Sequence, residues 1–166
     1  LPNGRIVFNT ERRGGFGRCH PEPKPTFTLY SMKSDGSDMV CISYHETNEF
    51  HPSVNNDGML VYTRWDYVDR NFNAGQHMWI CGADGTDPRA PHGNYQIDLG
   101  GNGGPFAEWW IRSIPGTRSK YVAIAGSHHK PNVEVGVPFI IDLSIPDDRR
   151  VAQITRIFPA SACNFQ

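Results

Sequence analysis

The decapeptide MWICGADGTD at 78–87 aligns without gaps on LYSMKSDGSD at 29–38, an offset of 49 residues. It aligns more loosely on FIIDLSIPDD at 139–148, an offset of 61. Self-similarity on this scale constrains architecture more than local propensity does, because each unit must bury a face against its neighbour. The segment ahead of each decapeptide repeats as well: NGRIVFNT at 3–10, DGMLVYTR at 57–64 and SKYVAIAG at 119–126. There Leu60, Tyr62 and Arg64 alternate with Val61, Thr63 and Trp65, a period of two in a run rich in β-branched and aromatic residues. Asp-Gly closes the turns, since Gly adopts positive φ freely and Asp bonds its own backbone.

Each unit ends in a short extended piece, at 39–44, 88–92 and 151–156, and leading strands at 51–54 and 109–114 precede the second and third units. Four short strands recurring about every 50–60 residues have the size of a propeller blade. The expected fold is all-β: a β-propeller segment of about three four-stranded antiparallel blades, near 3–44, 51–92 and 109–156. The stretches 4–10, 58–65 and 120–126 become equivalent second strands, and 28–33, 78–82 and 138–143 equivalent third strands. Ile6, Phe8, Leu60, Tyr62, Trp79 and Ile140 fall at matched positions and are expected between blades. The alternative is a generic antiparallel sheet, in which equivalent strands would pair directly.

Three blades do not close a ring, so the reading implies a segment of a longer protein, with flanks covered by further blades. The 166 residues carry a net charge of −1, which gives no electrostatic footprint for nucleic acid or an anionic membrane. There is no long apolar run and hence no expected membrane span. The 17 Gly and 13 Pro favour turns over long helices.

The connections carry the polar chemistry. Residues 11–26 form a long loop with Cys19-His20 at its centre, stiffened by Pro21, Pro23 and Pro25, and proline at such a spacing bars a central strand. Residues 43–52 are dense in His45, Glu46, Glu49 and His51, and 66–77 contain Asp66, Asp69 and Arg70. Residues 91–108 are Gly-rich and include His92, but lack the strand-to-helix context and lysine of a phosphate cradle. The third such loop, 126–136, holds His128 and His129.

In a four-stranded meander, the second-to-third-strand loops and the inter-blade connections emerge on one face. That topology puts all seven histidines, with Cys19, in or beside loops of that face. Cys19, His51, His92, His128 and His129 are accordingly expected to open there, partly exposed, within reach of a common ligand, cofactor or neighbouring domain. Histidine, cysteine and carboxylate are the ligand set for zinc or iron, although no local spacing here matches a metal motif. Cys41 and Cys81 read as small core residues, and the absence of CxxCH means no covalent haem attachment within this stretch.

The run HPSVNNDGMLVYTRWD followed by MWICGADGTD resembles TolB-type propeller repeats. More specifically, GGFGRCHPEPKPTFTLYSMKSDGSD, SYHETNEFHPSVNNDGMLVYTRWDYVDR, APHGNY and IRSIPGTRSKYVAIAGSHH resemble the middle propeller domain of the hydrazine synthase alpha subunit and its bacterial homologues. The resemblance implies an extracytoplasmic, multidomain oxidoreductase whose propeller packs against c-type haem domains. Haem c is then carried elsewhere, zinc is a further implied cofactor, and Cys19 faces the neighbouring cofactor. Two other functions fit the residues: a TolB-type binding module for protein or glycan, and a metal-dependent enzyme built on the Cys/His loop face.

Overall fold

The computed structural model describes residues 1–17, 23–66, 75–93, 107–126, 136–146 and 152–158. Every helix or strand among them is a strand: β1 (Ile6–Thr10), β2 (Phe16–Gly17), β3 (Lys24–Pro25), β4 (Thr28–Met32), β5 (Val40–Cys41), β6 (Asn48–Val54), β7 (Leu60–Trp65), β8 (Gln76–Cys81), β9 (Ala107–Ser113), β10 (Lys120–Gly126), β11 (Val137–Asp142) and β12 (Ile154–Arg156). No helix among the described residues is long and apolar enough to cross a membrane.

The first unit is the antiparallel sheet β1-β4-β5. The remaining main strands run β12-β11-β10-β9-β8-β7-β6, all antiparallel neighbours except β8 and β9, which meet in parallel at one position, Gln76 against Ala107. That meeting is the seam between the second unit, β6-β7-β8, and the third, β9 to β12. The second unit's fourth strand is reduced to an isolated bridge between Ile80 and Arg89. Equivalent strands do not pair: β1 lies beside β4, β7 between β6 and β8, and β10 between β9 and β11. The direct pairing demanded by a generic sheet is therefore absent among the described strands.

Two hydrophobic clusters fill the spaces between units. Leu60 and Tyr62 of β7 pack with Leu29, Ile42 and Cys81. Val61, one residue along, turns the other way and packs with Met78, Ile111, Tyr121 and Phe139. One strand thus supplies both clusters, as alternation in a sheet covered on both faces requires. Polar links join the second and third units. Asn55 donates to the Tyr121 hydroxyl at 3.2 Å, and the Asn56 amide donates to the carbonyls of Ile114 at 3.0 Å and Thr117 at 2.6 Å.

The expected core needs correction. Leu60 and Tyr62 are buried, but Phe8, Trp79 and Ile140 are half-buried, and Ile6 is 42% exposed. In β1 the residue turned toward the cluster is Val7. Ile6 and Phe8 take the opposite face, where Phe8 meets Tyr30 at 6.2 Å between ring centroids. In β11, Phe139 and Ile141 take the inner face and Ile140 the outer one.

Two loop readings also change. Residues 11–26 contain the small β2–β3 ribbon, with Phe16 opposite Pro25. The first half of 43–52 is irregular, but β6 already begins at Asn48, because Asn48 and Glu49 pair with Trp65 and Arg64.

Candidate functional site

Glu108 is the second residue of β9 and has no exposed surface. Its Oε2 accepts the backbone N–H of Met78 at 3.2 Å, across the seam in the preceding unit. Its Oε1 lies 2.9 Å from His92 Nε2 and 3.5 Å from His77 Nδ1. His92 Nδ1 lies 2.6 Å from Gln153 Oε1, and the Gln153 amide is oriented by donating from Nε2 to the Ile145 carbonyl at 2.9 Å. With acceptors at both ring nitrogens, His92 is held as an imidazolium. Burial pushes the Glu108 carboxyl up, but the charges and hydrogen bonds of His92 and His77 outweigh it and hold the group well below its ordinary value.

The arrangement recurs one unit earlier. Glu49, second residue of β6, accepts the backbone N–H of Leu29 at 3.0 Å and the Ser43 hydroxyl at 2.5 Å through Oε2, while Oε1 meets His45 Nε2 at 2.5 Å. Leu29 and Met78 open the two aligned decapeptides, and Ser43 and His92 stand 49 residues apart, the same offset. A leading-strand carboxylate thus clasps the third strand of the preceding unit at both seams. The chemistry around it differs: His45 Nδ1 accepts the Thr47 N–H at 3.2 Å, which turns Nε2 toward Glu49. Ser43, His45 and Glu49 do not form a nucleophilic triad, because serine and carboxylate both approach Nε2. Beside them, burial first and the Glu49 charge second push the Cys81 thiol up to about 12, so it is not a thiolate nucleophile near neutrality.

A second feature lies on the same leading strands. A cavity of about 540 Å³ is lined by Phe50, His51, Gln76, Trp109 and Trp110. His51 and Trp110 both have left-handed backbone, with φ of 52° and 56°, and both sit at register shifts in their strands. Their rings stack at 3.9 Å between centroids, with Trp110 53% exposed. Trp109 lies against Gly126, where a Cβ would come within 2.9–3.1 Å of the indole.

Cys19, His128 and His129 lie outside the described residues, so their expected shared face with His51 and His92 is not described here. His51 and His92 both contact β9, the first stacking on Trp110 and the second bonding Glu108. The exposure expected for His92 is overturned: the ring is fully buried. His45, His77 and His92 do gather, but around the buried seam carboxylates. Among the described residues, no three His, Cys, Asp or Glu side chains are placed to hold a metal ion.

No family model and no curated protein matches the sequence. Among solved structures, a protein described as TolB from Agrobacterium tumefaciens superposes with a TM-score of 0.58 at 13% identity, over 95% of this chain and 46% of that one. The fold is a TolB-type β-propeller. At that identity the likeness is one of fold alone, and the chain spans less than half of the solved protein. Sequence reading missed the seam carboxylates and the aromatic cleft. Their signal was a Glu-aromatic dipeptide in each leading strand, Glu49-Phe50 and Glu108-Trp109.

Proposed function

We propose that the chain is a scaffold and docking segment of a larger, extracytoplasmic protein resembling the hydrazine synthase alpha subunit. In this reading the loop face that includes Cys19 packs against a domain bearing haem c, and the remaining blades come from the same or an associated chain. Any hydrazine-forming oxidoreductase activity belongs to the intact complex, not to this chain alone.

The structural observation that supports docking over catalysis is the fate of the acid–base groups. Glu49, Glu108, His77 and His92 are buried at seams between units, where they hold the scaffold together. The dense sequence resemblance supplies the haem part of the proposal. Zinc fits the described residues poorly. Both ring nitrogens of His92 are engaged within the protein, while His51 keeps Nδ1 without a hydrogen bond. A zinc site would therefore have to be completed by Cys19, His128 and His129.

The test is the full-length polypeptide, purified and examined by absorption spectroscopy, metal analysis and peptide mapping. The expected result is a Soret band with haem bound at a CxxCH outside this segment. A full-length chain without CxxCH or Soret absorption removes the haem reading. Stoichiometric zinc that is lost on Cys19→Ser substitution would instead favour the metal-dependent alternative.

A further inference from the structure

We propose that the open edge of β1 is an interaction surface for one extended strand of the chain's own leading-strand type, with a carboxylate six positions and an aromatic ring five positions ahead of Leu1 in the intact polypeptide. The inference rests on the docking reading only in that the strand belongs to the larger protein; it needs neither haem nor metal.

The turn is the first observation. In the second unit β6 enters its hairpin at Asn55, whose N–H donates to the Met59 carbonyl at 2.9 Å, while Gly58 donates back to the Asn55 carbonyl at 3.0 Å. The third unit does the same after β9, with Ile114 donating to Lys120 at 2.9 Å and Thr117 to Ile114 at 3.2 Å. The first unit carries this turn too: the Leu1 nitrogen donates to the Arg5 carbonyl at 2.8 Å, and Gly4 to the Leu1 carbonyl at 3.0 Å. Gly4 and Gly58 share left-handed φ, 79° and 80°. Leu1 thus stands where a leading strand enters its hairpin, although no such strand lies beside β1 among the described residues.

The edge itself is the second observation. Backbone groups of an antiparallel strand alternate between its two sides. Arg5 turns its carbonyl toward Leu1, so Val7 and Asn9, two and four residues on, turn the same way, away from β4. Their counterparts by alignment, Val61 and Thr63, pair with Ser53 and Phe50 of β6. An edge of this kind is a template for an added strand. The adjoining face is open as well. Ile6 and Phe8 correspond to Leu60 and Tyr62, which are buried with Leu29 and Ile42 of the preceding unit, yet Ile6 is 42% exposed and Phe8 half-buried.

The two complete seams select the occupant. Counted back from the first residue of the hairpin, both leading strands hold glutamate at the sixth position, Glu49 and Glu108, and an aromatic ring at the fifth, Phe50 and Trp109. At the fourth stand His51 and Trp110, the two residues with left-handed backbone. Each glutamate accepts the N–H that opens the preceding unit's third strand, at Leu29 or Met78. A strand seated on β1 in this register directs its carboxylate to the blade ahead in the same way, and so binds two blades at once. A second copy of β1 on the edge, with the sequence IVFNT, would bring no carboxylate to that place.

The experiment is hydrogen exchange at single-residue resolution on the full-length protein, read beside its complete sequence and its Soret absorption. Phe8, paired with Tyr30, is the internal reference. After correction for intrinsic rates, Val7 and Asn9 should exchange within about tenfold of Phe8. Asp or Glu should stand six positions ahead of Leu1, with Phe, Tyr or Trp next to it. Exchange at Val7 and Asn9 more than about tenfold faster than at Phe8 means an open edge and overturns the proposal. So does the absence of a carboxylate at the sixth position, or protection that disappears on dilution to a monomer, which assigns the edge to a second copy. The Soret band keeps the two readings apart. An open edge in a haem-bearing protein sinks the strand alone, and a covered edge in a haem-free one sinks the haem reading alone.

Discussion

A fully buried carboxylate such as Glu108 is stable only because its neighbours replace the water it has lost. Removing one partner of a buried ion pair costs on the order of 3–5 kcal/mol, chiefly by stranding the other charge. Glu108→Gln leaves the His92 imidazolium without its counter-charge and gives the Met78 N–H a weaker acceptor, so we expect a loss of about 3 kcal/mol in urea unfolding. Glu49→Gln keeps an oxygen for the Leu29 N–H and weakens the hydrogen bonds to Ser43 and His45, and the expected loss is about 1–2 kcal/mol. The pH dependence follows from the direction of the Glu108 shift. The folded carboxyl titrates below its ordinary 4.5, so in acid the unfolded chain takes up that proton first. The stabilisation is present above about pH 4.5 and is lost as pH falls toward the folded value. Glu108→Gln should flatten this acid limb. Equal losses in the two variants, or an unchanged acid limb, would show that the seam charge has no energetic role.

At the scale of strands and turns, much was legible. The second and third strands of each unit lie within two residues of their sequence-based bounds, because alternation and Asp-Gly turns act locally. Which face of a strand finds a neighbour is decided at a distance. Ile6 and Ile140 therefore read as core, although Val7 in β1 and Phe139 and Ile141 in β11 are the inward residues. The seam carboxylates were obscured for a related reason: Glu49 in a polar stretch looks solvated until the preceding unit's Leu29 N–H is brought to it. The repeated turns show the same division between local and distant causes. Gly36 and Gly85 occupy the same turn position with φ of 84° and 86°. A Cβ on Gly36 would meet nothing within 4 Å, whereas one on Gly85 would collide with the Ile42 carbonyl of the first unit. Gly36→Ala should cost roughly 1–2 kcal/mol from backbone strain alone. Gly85→Ala adds a clash with backbone that cannot move independently and should cost at least twice as much. Thermal unfolding of the pair checks this, and equal shifts in midpoint would mean the two units do not pack as described.

Across the whole molecule, packing is uneven. β7 is covered on both faces, Leu60 and Tyr62 by one cluster and Val61 by the other. On the flanks, β1 presents Ile6 and Phe8, and β11 presents Ile140, to a side where no described residue forms a third cluster. Stability in such an array passes from unit to unit through the seams, so local opening should be cheapest at the flanks. In hydrogen exchange of the 166-residue chain, the amides of β7 should be the slowest, and those of β1 and β12 among the fastest. The solved TolB-type protein is more than twice as long as the part this chain matches, so the docking proposal places further blades against these flanks. If that is right, the same amides measured in the full-length protein should gain protection at Ile6–Thr10 and Val137–Asp142 and change little at Leu60–Trp65. Gains confined to β7, or unchanged exchange at both flanks, would mean that no blade covers Ile6 and Ile140 and that the three units stand as a scaffold on their own.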